Sequence, residues 1–263
     1  RSAIRNSELA FPSARITINL APADIRKEGP SFDLAIALGV LAANGQIPQE
    51  KLRRYAVLGE LSLSGRIKPV AGVLASALAA RDSIDGIIVP NGNAGEGALA
   101  GRLPVFPFPD LVHVVNFLND PSRHKPFEGI TTENTPPAGG DCDMADVKGQ
   151  TFAKRGLEIA AAGSHNALLI GPPGSGKTML ARRFPTILPS MTRDEALEVT
   201  KIHSAAGARA VSGLIIERPF RSPHHTASHI AIVGGGSDPK PGEVTLAHHG
   251  VLFLDELPEF SRG

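Results

Sequence analysis

A single cysteine, Cys142, in a chain of 263 residues rules out a disulfide framework and fits a reducing compartment. No apolar run approaches the roughly 18 residues that cross a bilayer, and no signal-peptide pattern opens the chain. We therefore expect a cytoplasmic protein with no membrane partner. An excess of charge of one sign is also missing. Residues 1–130 carry 14 Lys+Arg against 12 Asp+Glu, residues 131–263 carry 13 against 14, and the net charge is +1. Neither half announces nucleic acid by composition. No internal repeat of fixed period appears. What is there is ordinary for a folded protein, with 42% hydrophobic and 20% charged residues in a length suited to two domains. Cys142 sits in AGGDCDMAD, a setting for a chemically idle thiol.

The chain opens on Arg1 rather than Met and stops at Gly263, soon after the strand-like VLFLDE. We expect a piece of a longer protein. Residues 126–143, PFEGITTENTPPAGGDCD, hold three prolines and three glycines without apolar periodicity, which marks a connector. The division this implies is 1–128, a connector at 129–143, and 144–263.

In the first segment, Arg15 to Leu20 alternate apolar and polar residues as a half-buried strand does. Ser31 or Asp33 is placed to cap a helix over LAIALGVLAANG, with Gly45 just past its end. Strands are expected at 55–61 and 86–90, a turn at Ser64-Gly65, and helices at 71–81 and 110–119. The second segment reads as a helix over 150–162, a buried-type strand at 165–170, a glycine loop, a helix from Lys177, and a second apolar strand at 250–254. Strand, loop and helix followed by another buried strand describe an α/β domain with a parallel sheet.

Gly171-Pro172-Pro173-Gly174-Ser175-Gly176-Lys177-Thr178 fills every fixed position of G-x-x-x-x-G-K-[ST]. Glycines let the backbone curl until its N–H groups converge on phosphate oxygens. We take residues 171–179, Met179 included, as the ATP-binding stretch. Lys177 reaches the β- and γ-phosphates, and Thr178 places its hydroxyl on Mg²⁺. Asp255 and Glu256 end the second strand, where sites of parallel sheets gather. Asp255 is assigned to Mg²⁺ and Glu256 to the general base that polarises water; Lys177 and Glu256 are the catalytic pair.

Between these motifs lie RPFRSPHHT, a glycine triplet and PGEVTLAHH. Two histidine pairs raise a zinc reading. Against it stand the absence of a cysteine partner and the tendency of adjacent side chains to point apart. A short helix at 243–249 behind an inserted loop at 218–242 is the other reading.

GPPGSGKTMLARRFPTILP, IHSAAG, RPFRSPHHTASH and PGEVTLAHHGVLFLDELPEF together resemble the magnesium-chelatase-like branch of the AAA+ ATPases. KEGPSFDLAIALG, GELSLSGRIKPVAG and the following helix and IIVP strand resemble the Lon-protease-type, ribosomal-protein-S5-like α+β domain. That combination is similar to the ComM (YifB) family. The resemblance implies a protease-inactive Lon-like domain ahead of an AAA+ core in a homohexameric ring driven by ATP and Mg²⁺, working in branch migration of DNA. The sensor, arginine-finger and lid residues would lie outside this sequence. Ser31 matches the Lon nucleophile, but the lysine such a hydroxyl needs is replaced by Leu74, and residues 69–124 contain no lysine.

Arg218, Arg221, His224, His225 and Lys240 are candidates for contact with DNA phosphates, as are Arg26, Lys27, Arg53, Arg54, Arg66 and Lys68 in the first domain. The alternatives are a metal-chelatase motor subunit, inserting Mg²⁺ or Co²⁺ into a tetrapyrrole, and a nucleotide-binding piece that does not turn over.

Overall fold

The computed structural model describes residues 1–20, 29–129, 142–207, 213–236 and 239–260. The chain divides into two compact units, Arg1–Thr131 with Ser204–Gly213, and Thr132–His203 with Leu214–Gly263.

The first unit contains α1 (Ser2–Asn6), α2 (Asp33–Ala43), α3 (Gln49–Leu52), β1 (Tyr55–Val57), β2 (Glu60–Leu61), β3 (Ile67–Lys68), α4 (Val73–Ala79), β4 (Gly86–Pro90), α5 (Ala94–Ala98), β5 (Val105–Phe108) and α6 (Leu111–Asn119). Its sheet runs β1-β4-β5, both pairings parallel, and β2 and β3 form an antiparallel hairpin. Every residue of β4 is buried, as expected for a parallel strand covered on both faces. Alternation explains how. Ile88 and Phe106 point into a core with Leu34, Leu38 and Leu41 of α2 and Leu111, Val114 and Phe117 of α6. Ile87, Val89 and Val105 point the other way, onto Val73 and Ala77 of α4. Phe117 anchors the first layer, with ring centroids 4.7 Å from Phe106 and 5.1 Å from Tyr55. Mixed α/β with a parallel sheet is therefore the observed class.

Two expectations fail here for physical reasons. The Arg15–Leu20 pattern forms no strand. Ile16, Ile18 and Leu20 are exposed, and alternation without a neighbouring strand leaves the backbone unpaired. Nor does Ser31 or Asp33 cap α2, whose first residue follows a short 3₁₀ turn, Pro30–Phe32, with no side-chain cap. Backbone pairing does that work instead, Leu34 N donating to Gly59 O (3.1 Å) and Gly59 N to Ser31 O (3.0 Å). Asp110, by contrast, caps α6 through a bond from His113 N (3.0 Å).

The second unit contains α7 (Thr151–Gly163), α8 (Lys177–Arg183), α9 (Arg193–Ala205, all but its last two residues), β6 (Phe220–Arg221), α10 (His229–Val233), β7 (Gly234–Gly235), β8 (Lys240–Pro241), α11 (Glu243–Leu246) and β9 (Val251–Leu252). Met144, Val147, Leu157 and Leu180 form its small core. The expected strand at 165–170 does not appear. Leu168 and Ile170 are 74% and 88% exposed, so the apolar run has no strand beside it among the described residues. The expected 218–242 loop is also corrected. It begins as β6, which pairs in parallel with β9, and it carries α10 and the β7–β8 hairpin.

Candidate functional site

Gly174 and Gly176 adopt φ of 77° and 85°, the left-handed region that a Cβ disfavours by about 1–2 kcal/mol. Turns of this kind collect backbone N–H groups into an anion-binding concavity. Gln150, just ahead of α7, props the loop, its side chain donating to Ser175 O (3.2 Å). Lys177 Nζ folds over the loop and donates to Gly171 O (2.9 Å) and Pro172 O (3.0 Å). Met179 packs its side chain onto the Met144–Leu157 core. Ser175 Oγ is buried with no partner. A buried unpaired hydroxyl costs about 1–3 kcal/mol, so the loop fits a polar occupant such as phosphate.

The acidic pair arrives from far along the chain. Thr178 Oγ1 donates to Asp255 Oδ2 at 2.9 Å across 77 residues. β9 delivers Asp255, and β9 is positioned by bonds to β6: Val251 N to Pro219 O and Phe253 N to Arg221 O, both 2.8 Å. Close approach at Gly250 permits this, for a Cβ there would stand 2.0 Å from Pro219 O. Glu256 sits on a left-handed residue, φ 53°, with its side chain 67% exposed and His225 Nδ1 3.6 Å from Oε2. Gly171, Lys177, Thr178 and Asp255 are thus brought together, and Glu256 follows directly.

Sequence reasoning had offered several cations to DNA phosphates, and the structure gives many of them other partners. Arg218 is only 15% exposed in its side chain and donates to Pro189 O and His249 O, both at 2.6 Å. Arg221 grips Glu243 with two bonds, 2.5 and 2.7 Å. Arg221's hydrogen bonds hold the Glu243 carboxyl below its usual range, against the opposing effect of burial. His224 Nδ1 faces Thr226 Oγ1 at 2.8 Å; Lys240 lies in β8. In the first unit Arg54 pairs with Asp85 (2.5 Å), Lys68 with Glu60 (2.8 Å) and Arg53 with Glu50 (3.9 Å). Arg66 is exposed, while Arg26 and Lys27 lie outside the described residues.

Leu74, set by the Lon resemblance at the position of a lysine, is fully buried. Its N–H donates to Glu96 Oε1 (2.9 Å), a buried carboxylate that also accepts from Asn93 Nδ2 (2.8 Å). What sequence reasoning missed is His225 beside Glu256 and the Gln150 prop. Nothing in their spacing to the loop marks either one.

A family model described as magnesium chelatase, subunit ChlI, matches residues 143–263, and one described as subunit ChlI of Mg-chelatase matches residues 1–93. An uncharacterized protein YifB of Salmonella typhimurium is 49% identical over 262 residues, covering 100% of this chain and 51% of that protein. Competence protein ComM of Haemophilus influenzae is 46% identical over 264 residues, covering 100% of this chain and 52% of that protein. The chain belongs to the ComM (YifB) family. It spans about half the length of these curated family members. Lon protease 2 of Bacillus subtilis is 31% identical over 113 residues, 40% of this chain and 20% of that protein. Among the described residues no helix is long and apolar enough to cross a membrane.

Proposed function

We propose that this chain carries the ATP-binding and ATP-hydrolysing core of a ComM-type AAA+ motor acting on DNA, working as a homohexameric ring in the cytoplasm. The observation that carries the nucleotide half of this reading is the Thr178–Asp255 hydrogen bond behind a complete glycine loop. Residues 171–179 bind the nucleotide, the backbone N–H groups and Lys177 holding its phosphates. Thr178 and Asp255 supply the hard oxygen donors that suit Mg²⁺. Bound there, the cation neutralises charge developing on the phosphate oxygens. Glu256, exposed beside the loop, accepts the proton of the attacking water, and His225 stands close enough to orient its carboxylate.

The division at 129–143 belongs to the same proposal. Residues 1–128 form a Lon-like, S5-like domain that is protease-inactive, with Leu74 where a base would stand. Residues 144–263 form the ATPase core. The DNA half is supported by similarity to a protein named for competence. A chelatase motor is the second reading, supported by the chelatase descriptions of both matching family models.

Both halves can be tested on the full-length protein. ATP turnover is measured with single-stranded, forked and duplex DNA at several salt concentrations. We expect stimulation by DNA, loss of nucleotide binding in Lys177→Ala, and retained binding with turnover down about 10²–10⁴-fold in Glu256→Gln. Unchanged turnover in Lys177→Ala would overturn the ATP site. Absence of both DNA stimulation and salt-sensitive DNA binding would overturn the DNA half, and a tetrapyrrole-dependent response would select the chelatase reading.

A further inference from the structure

Adjacent histidines ordinarily diverge, yet His248 and His249 do not. His249 adopts φ 55°, a left-handed conformation uncommon for a residue with a Cβ. It lies with its ring beside that of His248, centroids 4.0 Å apart. Both rings face α9. His248 Nε2 lies 3.1 Å and His249 Nε2 2.8 Å from one oxygen, Glu198 Oε2. The donor atoms of these three residues all lie within 4.8 Å of one another. One turn earlier on α9, Glu195 Oε1 stands 3.6 Å from the other nitrogen of His249, Nδ1.

We propose that Glu198, His248 and His249 form a Zn²⁺-binding site, with Glu195 as the carboxylate that orients His249. Two imidazole nitrogens and a carboxylate oxygen are a donor set that zinc takes at about 2.0–2.2 Å. Tetrahedral geometry at that radius separates donors by roughly 3.3–3.6 Å, so the two observed contacts, 3.1 and 2.8 Å, need open by less than an ångström. Glu195, 3.6 Å from Nδ1, is placed to close to hydrogen-bond range and favour the tautomer whose Nε2 lone pair faces the metal, the arrangement metal-bound histidines usually have. Arg218 Nη2 lies 3.7 Å from Glu195 on the far side, and Thr192 N donates to Glu195 Oε2 (2.7 Å), so Glu195 is itself held in place. Imidazole donors favour zinc over magnesium. Three protein donors leave a fourth position open, and the partial exposure of all three residues lets the cation exchange with solution.

The site shares no residue with the glycine loop or the acidic pair and stands whether or not the ATPase reading does. Its occupancy ties α9 to the turn that leads into β9. A regulatory role follows from that link, because β9 delivers Asp255.

The test uses full-length protein without a histidine tag, stripped by a chelator and dialysed against micromolar Zn²⁺ in excess Mg²⁺. Bound zinc is then measured by elemental analysis. One zinc per chain is expected, lost in His248→Ala and in Glu198→Gln and retained in Lys177→Ala. Glu195→Gln should weaken binding by about 10–100-fold. His249→Asn, which keeps a residue tolerant of the left-handed turn, should lose zinc while retaining the native circular dichroism spectrum. Zinc absent from the wild-type protein overturns the site and leaves a plain ion pair. So does zinc whose stoichiometry survives both His248→Ala and Glu198→Gln.

Discussion

Gly250→Ala isolates the packing that aims the acidic pair. Gly250 has no unusual dihedral, so alanine suits its backbone; only space forbids it. The new Cβ would stand 2.0 Å from Pro219 O and 2.8 Å from Pro219 N and C, all rigid backbone, so β6 and β9 must separate. Two interstrand bonds are then at risk, Val251 N to Pro219 O and Phe253 N to Arg221 O. At about 1 kcal/mol each, with about 1–3 kcal/mol for overpacking where no flexible side chain can yield, the loss should reach about 3–5 kcal/mol. The control is the same chemical change at Gly39 in α2, where an added Cβ meets nothing within 4 Å. There alanine should stabilise by about 0.5–1 kcal/mol through helix propensity. Urea unfolding followed by circular dichroism reads both, since the chain has no tryptophan. Binding of a fluorescent ATP analogue reads whether Asp255 has moved off Thr178. Gly250→Ala as stable as wild type to within about 0.5 kcal/mol would refute the close-approach reasoning, as would two alanines of like effect.

Phe117→Ala should cost about 3–5 kcal/mol in thermal or urea unfolding, because its ring joins three aromatic neighbours in the first core. Glu243 has a carboxyl held below its unfolded value by Arg221, so the ion pair contributes fully above the ordinary glutamate range and is lost as pH falls through the lowered value. Glu243→Gln should therefore cost about 1 kcal/mol near neutral pH and flatten the acid limb of a stability–pH curve; an unchanged acid limb would remove the pair from the account. Ser31→Ala should leave stability within about 0.5 kcal/mol, since backbone bonds rather than its hydroxyl start α2, and a drop beyond that in urea midpoint would restore the cap.

Fixed spacing made the glycine loop readable: glycines where the backbone turns left-handed, then Lys177 and Thr178. Their meeting with Asp255 across 77 residues followed from where sites sit on parallel sheets. Strands were harder wherever a partner was needed. The stretches 15–20 and 165–170 have strand composition, but pairing is a property of two segments and sequence pattern reports only one. Charge was harder to read for a related reason. Arg218 and Arg221 look like loop cations until the fold brings Pro189, His249 and Glu243 to them. His249 escaped because nothing in a pair of histidines announces a left-handed backbone.

The parallel pairing of β6 with β9 also bears on how this fold can vary. Both ends of the stretch from Ser222 to Gly250 are pinned to neighbouring strands about 4.8 Å apart, and the stretch between them has its own helices and hairpin. Lengthening such a tethered excursion costs only about 0.6 kcal/mol per doubling. It can be exchanged, enlarged or grafted as a cassette while the strand that delivers Asp255 keeps its address.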